Sequence, residues 1–75
     1  PKENRYGLFD HTLPSYPVPV LLEVILREPG ADDRRLLSMP YSGGRLAFPY
    51  VAPIGTGIVV LVNGEEVFRY DVLPQ

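Results

Sequence analysis

Gly57-Ile58-Val59-Val60-Leu61-Val62-Asn63-Gly64-Glu65-Glu66-Val67-Phe68-Arg69-Tyr70 decides the fold class. Asn-Gly between two β-prone runs is a hairpin signal, because the two-residue turn that matches strand twist needs positive φ at both central positions. Such a turn predicts Val62 opposite Glu65, Leu61 opposite Glu66, Val60 opposite Val67 and Val59 opposite Phe68. One face then carries Ile58, Val60, Val62 and Val67, and the other Val59, Leu61, Phe68 and Tyr70. Both faces of the first strand are apolar. That strand is expected to be central and covered on two sides, or to meet a partner with one face.

Upstream, Val18–Arg27 places Val18, Val20, Leu22, Val24 and Leu26 on one face at a period of two. A helix there would have Ser15 as cap, Pro17 in its first turn and Pro29-Gly30 as its end. The β-branched Val20, Val24 and Ile25 and the unbroken alternation favour a strand. Pro29–Asp33 reads as a turn, and a short apolar run follows at Arg34–Met39, limited by Pro40. After Ser42-Gly43-Gly44, the segment Arg45–Tyr50 aligns Leu46, Phe48 and Tyr50. Pro49 and Pro53 confine it to an edge or make it irregular. Leu13–Pro19, with three prolines, reads as an extended lead-in, and Pro1–Thr12 as a polar arm outside the core. The expectation is an all-β fold: a small β-sandwich or part-open barrel of about five strands with a C-terminal β-hairpin. Residues 1–17 are read as an extended N-terminal arm and 18–75 as a single small β domain.

The chain has 75 residues, no cysteine, nine prolines and seven glycines. A domain this small buries only about 60% of its unfolded surface and commonly needs a disulfide, a metal or a partner. The absent cysteines exclude disulfides and Cys-ligated metal, and one histidine among scattered acids gives metal little support, so no metal and no cofactor are expected. The net charge of −2 argues against nucleic acid, and Asp32, Asp33 and Glu28 neutralise the basic run around Arg34-Arg35. The longest apolar stretch, Val18–Leu26, contains Glu23 and falls short of the roughly 20 residues of a membrane-spanning helix. The chain opens at Pro1 and not Met, as expected of a processed or excised product, and Pro1–Thr12 lacks the apolar segment of a signal peptide.

Catalytic groups do not converge in this sequence. Asp10 and His11 are adjacent, so in an extended chain they point opposite ways and His11 reads as a solvated arm residue. Asp32-Asp33 and Glu65-Glu66 sit at turns and read as solubilising acids. Gly55-Thr56-Gly57 leads into a strand, whereas a phosphate loop needs a helix N-terminus after it. Tyr16, Tyr41, Phe48 and Tyr50 each neighbour a proline. Rigid Tyr/Pro surfaces suit flat contact with protein or sugar, or else packing under irregular loops.

Two partial resemblances accompany these readings. Ala52-Pro53-Ile54-Gly55-Thr56-Gly57-Ile58, with Glu65-Glu66-Val67 and Asp71-Val72-Leu73, resembles half of a biotinyl/lipoyl-type domain. Tyr70 stands where that family has glycine, and no Met-Lys-Met turn is present to carry a cofactor. Gly57–Val67 also resembles the last strand pair of bacterial immunoglobulin-like sandwich modules. Both imply β structure. The functional expectation is a non-enzymatic structural or protein-interaction module of a larger assembly, of cell-surface or virion type, with a protein partner or self-association. The alternative is a carbohydrate-binding or accessory β domain of a larger enzyme, with Tyr16, Tyr41, Phe48 and Tyr50 as glycan platforms.

Overall fold

The structure, a computed structural model, describes residues 3–74. Six strands fold in the order β1 (Asn4–Leu13), β2 (Val20–Arg27), β3 (Arg34–Tyr41), β4 (Gly44–Pro53), β5 (Gly57–Val62) and β6 (Glu65–Asp71). A four-stranded antiparallel sheet, β3-β2-β5-β6, is faced by a two-stranded antiparallel ribbon, β1-β4, in an open sandwich-like arrangement. The molecule is elongated, 44 × 23 × 15 Å. The all-β expectation holds, with one strand more than the five expected.

The central pair is β2 with β5, joined from Leu22↔Val62 to Arg27↔Gly57. Leu22, Val24 and Leu26 from β2 and Ile58, Val60 and Val62 from β5 form the floor of the core. The ribbon supplies its roof with Phe9, Leu13, Leu46 and Ala52, and Val72 closes one end. At about 25 cal/mol per Å² of buried apolar surface, this single layer of contact is the main favourable term available to a chain without disulfides.

The opposite face of the sheet answers the question raised by the two-faced strand. Val59 is fully buried and its cross-strand neighbour Ile25 nearly so, although neither belongs to the core between the layers. Charged side chains ring them: Arg35 bonds Glu23, Arg27 lies between Asp33 and Glu66, and Arg69 bonds Asp71. Arg69 pairs with Val59 in register, and its guanidinium lies where a Cβ on Gly57 would point, at 2.7 Å. Long side chains thus lay their aliphatic stems over apolar surface and keep their charges wet.

Two register details differ from the alternation expected of the sequence. Val62 faces Glu65 and Leu61 faces Glu66 as expected, but Val60 then faces Phe68, leaving Val67 as the extra residue of a β-bulge. The one-residue shift turns Phe68 to the core face and leaves Val67 exposed. A second shift between Val24 and Ile25 leaves Leu36 unpaired on β3. The turn itself behaves as expected, with Asn63 at φ 50° and Gly64 at φ 84°.

The largest correction concerns the N-terminal segment. Residues 4–13 are not an arm outside the core but a strand paired along its whole length with β4, from Asn4↔Pro53 to Leu13↔Gly44. Phe9 and Leu13 are buried. The boundary expected at 17/18 therefore falls inside the fold. The core-facing set of β1 is Arg5, Gly7, Phe9, His11 and Leu13, too mixed to read as an apolar face, and it is completed only by Leu46, Phe48, Tyr50 and Ala52 across the ladder. The Pro-rich lead-in is fixed by the Tyr16 N–H bonding the Ser42 carbonyl at 2.9 Å. It passes so close to Gly43 (φ 114°) that a Cβ there would lie 2.4 Å from the Pro14 carbonyl oxygen. The parts of the expectation that fall on residues 1, 2 and 75 lie outside the described residues.

Candidate interaction site

Strict alternation along the ribbon divides its side chains between core and solvent. The outward set includes Tyr6, Leu8, Ala47, Pro49 and Val51, with Tyr6 across from Val51 and Leu8 across from Pro49. Cross-strand neighbours on one face lie about 5 Å apart at Cβ, so these side chains are contiguous. Tyr6 is 79% exposed, Leu8 62% and Val51 49%. Arg45 borders the patch, its Nε and Nη2 donating to the Asp10 carboxylate at 2.9 and 2.8 Å. That fork holds the Asp10 carboxyl below its ordinary value of 3.8, first through hydrogen bonding and then through charge. The result is an apolar strip with an ion pair at one end, open to solvent on a thin ribbon.

The four aromatics singled out from the sequence lie elsewhere. Tyr16, Tyr41, Phe48 and Tyr50 are all half-buried and packed against the core. Phe48 stacks on Phe9, with centroids 4.8 Å apart. The Tyr50 ring lies over Gly7, where a Cβ would meet its Cζ and Oη at 2.5 Å, and it stands 6.1 Å from the Tyr70 ring. Tyr41 donates its hydroxyl to the Gly44 carbonyl. Its pKa is raised, mainly by burial and then by Tyr16 nearby. Tyr50 is raised too, first by its interaction with the Tyr70 hydroxyl and then by burial. The four therefore divide into a pair near the lead-in, Tyr16 and Tyr41, and a pair under the ribbon, Phe48 and Tyr50.

His11 and Asp10 do point to opposite faces, but His11 is not a solvated arm residue. Its ring stacks on Phe68 with centroids 3.7 Å apart and planes 13° from parallel, so β6 runs beneath β1. Phe9 meets the same ring edge-on at 5.8 Å. Two clefts follow the open sides of the sandwich. One, of about 130 Å³, is lined by Leu8, Phe9, Asp10, Phe68 and Tyr70 between β1 and β6. The other, of about 270 Å³, is lined by Leu36, Leu37, Phe48 and Pro49 between β3 and β4.

One acid of each pair, and the glycine loop, have structural partners. Asp33 accepts two hydrogen bonds from Arg27 at 3.1 and 3.0 Å, and Glu66 lies 3.7 Å from the same guanidinium. Gly55-Thr56-Gly57 bends the chain into β5, with the Gly55 N–H bonding the Val72 carbonyl and the Val72 N–H returning to the Thr56 carbonyl. Among the described residues, no three His, Asp or Glu side chains gather as metal ligands do, and no helix is long and apolar enough to cross a membrane. The outward face of the ribbon was missed from sequence because residues 4–13 were read as an arm. The signal lay in Tyr6 and Leu8 alternating with Phe9 and Leu13 once the chain is extended. Compared with models of protein families, with characterised proteins and with solved structures, the chain matches none of them.

Proposed function

We propose that this chain is a non-enzymatic protein-interaction module, working as a structural component of a larger assembly and making contact through its β1-β4 ribbon. The observation that carries this reading is the contiguous exposure of Tyr6, Leu8, Pro49 and Val51 on that ribbon. Scattered apolar residues on a surface need no explanation, but a contiguous strip on one rigid face does. Tyr and Pro suit such a role, since both offer contact area with little side-chain entropy to lose. Support for a glycan-binding role is weaker, because Phe48 and Tyr50 use their rings against Phe9, Gly7 and Tyr70 inside the domain.

Sedimentation velocity tests the reading. With no other protein in the cell, an apolar face of this kind meets its own copy, so the sedimentation coefficient is expected to rise with concentration across the micromolar range. A folded chain that stays monomeric throughout that range contradicts the proposal.

A further inference from the structure

The Asn63-Gly64 dipeptide carries chemistry as well as a turn. The sequence has two asparagines: Asn4 precedes Arg5, and Asn63 precedes Gly64. An asparagine carboxamide is open to attack by the backbone nitrogen of the next residue, and glycine leaves that nitrogen unshielded because it has no Cβ. Asn63 and Gly64 are both exposed, and nothing lies within 4 Å of where a Cβ on Gly64 would stand, so water reaches the pair. Ring closure also has a torsional requirement, because the five-membered ring brings the Gly64 nitrogen into line with the Asn63 Cβ. With φ 50° at Asn63 and 84° at Gly64, the turn is type I′, which sets ψ of Asn63 at about +30°. There the Gly64 nitrogen is nearly eclipsed with the Asn63 nitrogen and turned away from Cβ, so the carboxamide carbon does not reach it. Leu21 fixes this arrangement from β2, donating its N–H to Asn63 Oδ1 and accepting the Asn63 N–H, both at 2.9 Å. Folding thus leaves a reactive dipeptide in water but holds it in an unreactive conformation.

We propose that Asn63 is a site of spontaneous deamidation gated by the β5-β6 turn: the reaction runs only in chains whose turn has opened, and its isoaspartate product bars the turn from closing again. In the opened chain the Gly64 nitrogen loses its proton and bonds Asn63 Cγ. The Cγ–Nδ2 bond breaks, and the amide nitrogen leaves as ammonia with the proton that Gly64 gave up. The succinimide then adds one water. Cleavage between its nitrogen and Cγ gives aspartate, and cleavage between its nitrogen and the main-chain carbonyl carbon gives isoaspartate. The balance is one water consumed and one ammonia released, with no oxidation or reduction. Aspartate still offers an oxygen to the Leu21 N–H. Isoaspartate routes the backbone through Cβ and Cγ and lengthens a two-residue turn whose size sets Val62 opposite Glu65. Strand β6 then loses the register that carries Phe68 to Phe9 and His11. Opening of this one turn becomes an irreversible covalent change.

The test incubates the intact chain in mildly alkaline buffer, native and in guanidinium chloride. Ion exchange follows the new negative charge, and fragment mass spectrometry locates isoaspartate. In guanidinium the modification is expected at Asn63, with Asn4 far slower because the Arg5 side chain shields the attacking nitrogen. The native chain is expected to react slower by about tenfold or more, since only its opened fraction is competent. At intermediate guanidinium the rate should rise in step with exchange of the Asn63 amide, whose partner is the Leu21 carbonyl. The isoaspartate chain, purified and returned to native buffer, is expected to melt lower than its parent. Equal rates in the native and denatured chains overturn the proposal, as does reaction at Asn4 as fast as at Asn63. A rate that does not follow amide exchange, or an isoaspartate chain with the parent's midpoint, overturns it too.

Discussion

The four-stranded sheet and the two-stranded ribbon divide their labour unequally. In the sheet, the strand β5 is buried on both faces, one against the ribbon and one under arginine stems. Its outer surface is sealed by ion pairs that leave little apolar area bare at its centre. The ribbon spends only its inner face on the core and leaves Tyr6, Leu8, Pro49 and Val51 in water. The sheet also ends at strands broken by bulges, while β1 runs in unbroken register with β4. The difference teaches where stability and recognition reside: a layer whose central strand is covered on both faces, and a layer whose outer face keeps a contiguous apolar strip in water.

The largest expected effect breaks this comparison from the inside. Phe9→Ala in the ribbon removes a ring that touches both Phe48 and Phe68, and is expected to cost about 3–5 kcal/mol, against about 2–5 kcal/mol for Ile58→Ala in the sheet. Denaturant unfolding measures both. Similar losses mean that β1 is as integral as β5, whereas a loss below about 1 kcal/mol for Phe9→Ala would return it to the status of an arm.

Next in size is Gly64→Ala in the β5-β6 turn. At φ 84° a side chain is strained, and the expected loss is about 1–2 kcal/mol, read from the same unfolding curves. Asn63 has a further tie, accepting the Leu21 N–H on its Oδ1 at 2.9 Å while its own N–H bonds the Leu21 carbonyl. The turn therefore pins β5 and β6 to β2, and the damage should spread through the sheet before it reaches the ribbon in amide exchange.

The smallest effects come from pH and sharpen the same division. Asp10 on the ribbon and Asp33 beside the sheet are both held below 3.8 by arginine. Their contribution is present above that value and is lost as pH falls below it through their lowered folded values, in both layers alike and weakly, because both pairs are exposed. Tyr41 and Tyr50 are raised above 10.0, so theirs is present below pH 10 and disappears as pH rises beyond it. Tyr50 belongs to the interface between layers, so alkaline loss should appear first in ribbon amides. A pH series of thermal melts with amide exchange checks both directions.

How much of this was legible in the sequence depends on how local the determining contact is. The Asn63-Gly64 turn, the alternation of Val20 to Leu26 and the bend at Gly55–Gly57 are set by neighbours a few residues away, and they read directly. The bulge at Val67 is decided by where Phe68 finds apolar company, and that company is Phe9 and His11 some sixty residues earlier. Strand β1 went unread for the same reason: Arg5, Gly7 and His11 spoil its inner face until β4 supplies the other half. The aromatics beside prolines were visible, but their direction was not. Tyr6, with no proline beside it, proves the most exposed aromatic among the described residues.

The central claim is that the outward ribbon face serves contact and not folding. The double substitution Tyr6→Lys/Leu8→Lys tests it in one sample, by thermal midpoint and sedimentation velocity together. The account predicts a midpoint within a few degrees of the parent, since exposed substitutions typically cost less than about 0.5 kcal/mol each, and a sedimentation coefficient that no longer rises with concentration. A collapse of the midpoint would make the strip part of the fold, and association that persists unchanged would place the contact elsewhere; either result contradicts the claim.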